Sequence, residues 1–136
     1  MMKVKNIEWD KIPKKLVYKQ DCTKEITNGN YFEIGPSKVV QSDCGSYREA
    51  AFVDDSRFGY RFKLFDKSKP HLLIIKYPDD KRRFMCIQNC TTYDSTTGIM
   101  TGKEWEISGE MKTIYLPYWP RWTDDSIVFS SYGVHY

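Results

Sequence analysis

Strong helix formers are scarce in this chain: alanine and leucine together number 7 of 136 residues, against 18 isoleucines and valines. That imbalance argues against a helical bundle and favours strands, where β-branched side chains pack well. No apolar run approaches the ~18 residues of a membrane-spanning helix, so none is expected. The opening Met1-Met2-Lys3-Val4-Lys5-Asn6 lacks the apolar stretch of a signal peptide. Histidine occurs only as His71 and His135, which leaves a Ser-His or Cys-His catalytic arrangement without an anchor. Phosphate-binding glycine loops and H-E-x-x-H metal motifs are absent as well. Charge of one sign is also in short supply. A net charge of +3 implies neither a nucleic-acid nor a membrane partner.

What remains reads as a sheet protein of one domain, large enough to bury roughly two-thirds of its unfolded surface. The stretch from Arg57 to Gln88 is its spine. Phe58, Tyr60, Phe62 and Leu64 fall on one parity, with Arg57, Arg61 and Lys63 on the other, the period of a strand with one dry face. His71 to Tyr77 is apolar on both parities and predicts a strand covered on both sides. Arg83, Met85 and Ile87 begin a third strand, and the turns between the three predict an antiparallel meander.

Around this spine the chain predicts about eight short strands. Residues 1–29 form a lead-in or edge segment, with a short strand over Lys15–Lys19, and residues 30–136 form the sandwich. Tyr47 to Val53 reads as extended, with Arg48-Glu49-Ala50-Ala51 the one place where a helical turn could form. Thr91 to Gly102 reads as the longest polar loop, and Glu104 to Ile107 as a short alternating segment. Met111 to Trp119 reads as a long strand whose Pro117 marks an edge or bend, and Ser126 to Ser131 closes the fold.

Cys22, Cys44, Cys86 and Cys90 allow three disulfide connectivities, of which Cys22–Cys44 with Cys86–Cys90 suits the spacing. Four packed thiols are the alternative, and zinc lacks a second tight ligand pair.

The order of segments from Tyr31 onward resembles the galactose-binding-domain-like β-sandwich of carbohydrate-binding modules and of accessory domains beside glycoside hydrolases. The stretches that carry the likeness are Ser56-Arg57-Phe58-Gly59-Tyr60-Arg61-Phe62, Pro70 through Asp80, Trp119-Pro120-Arg121-Trp122 and Ser126 to Ser131. The resemblance implies an antiparallel jelly-roll, and a secreted or surface location as part of a larger glycan-degrading enzyme. No binding residue is carried over from the family.

The candidate site comes from the residues themselves. Tyr93, Trp105, Tyr115, Tyr118, Trp119 and Trp122 give the second half of the chain a high density of rings. Sugar rings present C–H faces that stack on such rings, while their hydroxyls seek planar polar side chains. Trp119, Trp122 and Tyr118 are therefore the expected platform, with Arg121, Asp124 and Asp125 fixing orientation. The expected partner is a polysaccharide or other glycan, alongside a neighbouring catalytic domain and without nucleic acid. The rival is a structural accessory sandwich that binds no glycan. Lys81-Arg82-Arg83 flanks a turn, where charges are usually solvated. Glu104, Glu106 and Glu110 are available carboxyl groups, but nothing sets two of them across a cleft, and no catalysis is expected. No cofactor is expected, although the Asp pairs at 54–55, 79–80 and 124–125 could hold structural calcium.

Overall fold

The computed structural model describes residues 7–24, 29–51, 56–64, 66, 68–89, 95–118 and 124–130. Among these residues, nine strands follow a 3-10 turn at Trp9–Lys11: β1 (Tyr31–Ile34), β2 (Ser37–Ser42), β3 (Gly45–Ala50), β4 (Arg57–Lys63), β5 (His71–Asp79), β6 (Arg83–Asn89), β7 (Ser95–Thr101), β8 (Glu110–Tyr118) and β9 (Asp124–Ser130). The fold is an all-β antiparallel sandwich. One sheet has five strands in the order β1-β4-β9-β6-β7, and β2-β3 and β5-β8 are two-stranded sheets.

The expected meander does not form. β9 lies between β4 and β6 in the large sheet, and β5 leaves that sheet to pair with β8. Turn chemistry announces that a strand ends but not which strand will sit beside it, so adjacency in sequence was misread as pairing. β5 is likewise not covered on both sides. Leu73, Ile75 and Tyr77 pack inward with Ile114 and Leu116 of β8 against Ile87, Ile99 and Ile127 of the large sheet. Ile74, between them, is 44% exposed. An apolar side chain on a solvated face costs little in a two-stranded layer, which is why the continuous run misled.

Other segments also differ from expectation. Lys15–Lys19 is irregular. Tyr47 to Ala50 is extended as expected, held in register by β2 without a helical turn. Glu104 to Ile107 lies in the turn between β7 and β8. The polar Ser95–Thr101 segment is β7, paired to β6 with a register shift at Ile87/Gln88. Polar composition there reflects an edge strand, which needs no apolar alternation on its outer side. Pro117 meets its expectation: β8 pairs only with β5, so a missing N–H on its other side leaves no ladder bond unmade.

The layers are tied together by a buried ionic network. Arg83, at the start of β6, has a side chain only 8% exposed, and it donates to Glu49 Oε1 of β3 at 2.6 Å and to Asp80 Oδ1 at 2.7 and 3.1 Å. Its guanidinium also donates to the Tyr47 hydroxyl at 2.6 Å, which in turn donates to Asp80 Oδ2 at 2.7 Å, and it lies 4.7 Å over the Tyr47 ring. Lys81 adds a second cation at 2.8 Å from Glu49. Burial alone would raise both carboxyl groups. The bonds from Lys81 and Arg83 to Glu49, and from Tyr47 and Arg83 to Asp80, more than offset it, and both titrate below their ordinary values. Burial and the bond to Asp80 push the Tyr47 hydroxyl up to about 12, so it stays protonated as a donor.

Asp79 closes the C-terminal end of β5. Its carboxylate is 2.9 Å from Lys112 Nζ and accepts from the Ser108 backbone N–H at 3.0 Å, while Gly109 N–H donates to the Asp79 carbonyl. The Lys112 ammonium, followed by the Ser108 N–H, holds this carboxyl at about 2. A folded-state value below the ordinary 3.8 means the group stabilises the fold at neutral pH, and that contribution fades as pH falls through the window from about 4 to about 2. The urea midpoint should therefore decline across that window, and the decline should be shallower in Asp79→Asn. Parallel profiles for the two proteins would remove Asp79 from the account.

Candidate functional site

The outward face of the large sheet carries a cleft of about 210 Å³ lined by Phe32, Ile34, Arg57, Arg61, Gln88 and Val128. Strand register explains its composition. Phe32 of β1 is opposite Gly59 of β4, Gly59 is opposite Val128 of β9, and Val128 is opposite Gln88 of β6. These four residues form one row across four strands, and facing residues in a ladder share a sheet face. Ile34 and Arg57 form the next row with Ser130 and Cys86, and Arg61 lies opposite Ser126 on the other side.

Gly59 makes the depression. A Cβ there would lie 2.7 Å from the Ile127 carbonyl oxygen and 2.7 Å from Phe32 Cζ. Without one, the Phe32 ring folds down over β4, and the Arg61 guanidinium sits 4.3 Å over that ring. Val128 and Gln88 are each 2% exposed and lie at the far side of the row. The Gln88 amide on that wall can donate twice and accept at its oxygen. The Ser130 hydroxyl, one row away and buried, has no partner among the described residues.

The residues expected from sequence are distributed differently. Trp119, Arg121 and Trp122 lie outside the described residues. Tyr118 ends β8 opposite His71, and Asp124 and Asp125 open β9 opposite Lys63 and Phe62. Asp124 and Val128 are four residues apart on one strand, about 13 Å. Trp105 is 57% exposed on the β7–β8 turn, and Tyr115 is stacked on Trp9 at 6.2 Å with its hydroxyl donating to Asp10.

Sequence reasoning placed Arg57 and Arg61 on the wet parity of β4 but left Phe32 and Gln88 unassigned. The one signal that could have found the cleft was Gly59 in the middle of an otherwise bulky strand, a sign of close approach.

The remaining expectations resolve on geometry. Asp79 and Asp80 are already neutralised by Lys112 and Arg83, which takes that pair out of consideration for calcium. The pair at 54–55 and the side chains of Asp124 and Asp125 lie outside what is described. Among the described residues no group of three or more His, Cys, Asp or Glu could hold a metal ion. Cys22 and Cys44 are free thiols, not a disulfide: Cys44 contacts Ser42 and Met111, while Cys22 lies beside the buried Tyr60 hydroxyl, and burial pushes its thiol up. Cys86 is buried in β6, and Cys90 lies outside the described residues. Of the basic run, Arg83 is internal and Lys81 is paired with Glu49. No helix among the described residues is long and apolar enough to cross a membrane. No family model, curated protein or solved structure matches this chain.

Proposed function

We propose that the protein is a non-catalytic glycan-binding module that takes a single sugar unit into the cleft of the large sheet. The observation that carries this reading is the cleft itself, in which the exposed Arg61 guanidinium lies over the Phe32 ring and the Gln88 amide joins the lining. Planar amide and guanidinium groups match the paired hydroxyls of a sugar ring, and Phe32, Ile34 and Val128 supply apolar contact for its C–H groups. Pockets for drug-sized ligands run to about 300–1,000 Å³, so a cleft of about 210 Å³ suits one ring rather than a chain segment. A galactose-binding-like module of a secreted or surface glycan-degrading enzyme is the setting that fits this role.

The test is calorimetric titration of the full chain with a panel of plant, mucin and microbial glycans, repeated with Gln88→Leu. The expected result is saturable binding of one class by the parent protein and at least tenfold weaker binding by the variant, since the ligand's polar groups would be left unpaired at an apolar wall. Equal affinity in the two proteins would move the site away from the cleft. A folded parent that binds nothing in the panel would favour the accessory-sandwich reading, in which the same surface packs against a neighbouring domain.

A further inference from the structure

We propose that the sugar taken by this cleft carries a carboxylate, as a uronic-acid unit does, and that Arg61 is the residue that reads its charge. The inference rests on the glycan-binding reading above and narrows it to a chemical class.

Three observations point the same way. The described lining contains the Arg61 guanidinium and the Gln88 amide but no Asp or Glu. A guanidinium has five donors and no acceptor, so the cleft offers an excess of donors. Neutral sugars present many hydroxyl donors and are ordinarily held with carboxylate acceptors among the contacts. A ligand rich in acceptors suits this lining better.

Arg61 itself is exposed, and among the described residues its guanidinium has no acidic partner. That distinguishes it from Arg83, whose fork is filled by Glu49 and Asp80. Stacking over Phe32 at 4.3 Å fixes the plane of the Arg61 guanidinium and leaves its edge for a carboxylate. Two parallel N–H···O bonds to a carboxylate are the preferred geometry of that edge.

Gln88 then takes the ring. On β6, two strands over from Arg61 of β4, its amide can donate to one ring hydroxyl oxygen and accept from the next. Recognition is thereby divided between a charge reader on β4 and a hydroxyl reader on β6, with Val128 of β9 between them as the apolar contact.

The experiment uses the full chain and its Arg61→Gln variant, titrated calorimetrically with D-glucuronate, D-galacturonate, D-glucose and acetate at low and high salt. A uronate is expected to bind at least tenfold more tightly than glucose, with a preference that shrinks as salt rises. Arg61→Gln should erase the preference for a uronate over glucose. Its unfolding midpoint should match the parent's, because the side chain is at the surface. Equal affinity for glucose and both uronates, or a preference that survives in Arg61→Gln, would overturn the charge assignment while leaving glycan binding intact. Acetate binding as tight as glucuronate would make the cleft a carboxylate site with no sugar specificity. Failure of every saccharide here, together with silence across the wider glycan panel, would sink both readings.

Discussion

Arg83→Ala is expected to lower the free energy of unfolding by about 3–5 kcal/mol, the typical cost of stranding buried charge by deleting its partner. The side chains of Glu49 and Asp80 are only 10% and 18% exposed, and the truncation would leave both carboxylates without the guanidinium that neutralises them. Lys81 could still reach Glu49, whereas among the described side chains Asp80 would keep the Tyr47 hydroxyl and no cation. A loss of this size would lower the melting temperature by about 10–20 °C in a domain of this length. Arg83→Lys should recover only part of it, since an ammonium cannot fork to Glu49, Asp80 and Tyr47 together. Denaturant titration of the three proteins checks the claim, and a change below about 1 kcal/mol in the alanine variant would place the network at the level of a surface ion pair.

The second large effect concerns which side chains face the core. Ile87 is 1% exposed at the centre of the cluster formed with Ile99 and Ile127. Its replacement by alanine is expected to cost about 2–5 kcal/mol, the range for truncating a large buried aliphatic side chain. Ile74→Ala, on the opposite face of β5 from Leu73 and Ile75, is expected to change stability by less than about 0.5 kcal/mol. The pair forms an internal control. Comparable losses at both positions would mean that β5 is covered on both sides after all.

That contrast also marks how far the sequence could be read. Parity in Arg57–Lys63 gave the dry and wet faces of β4 correctly, because alternation is a local property of one strand. The overall class was legible for the same reason, through abundant β-branched residues and frequent turn signals. Pairing was not. Whether β4 sits beside β5 or β9 is settled by which faces can be buried together, and that information is spread over the whole chain. The charges of Asp80, Lys81 and Arg83 looked like a solvated turn, yet two of the three neutralise each other inside the fold, where Glu49 and Tyr47 from a distant hairpin meet them. The cleft was illegible on the same grounds. Phe32, Gly59, Val128 and Gln88 have nothing in common as a motif, and only register puts them in one row.

The row has a kinetic consequence. Gly59 and Val128 are neighbours in the sheet but ~70 residues apart along the chain, so closing that pair requires a long loop whose entropic cost must be met before the contact returns any stability. β9 is the bridge between the β1-β4 and β6-β7 halves of the sheet. A chain still emerging during synthesis, or cut before Asp124, holds Phe32 and Gln88 on two separate pairs of strands with no surface between them. On the glycan-binding reading proposed above, ligand capture would begin only when β9 has docked, and binding would report that docking.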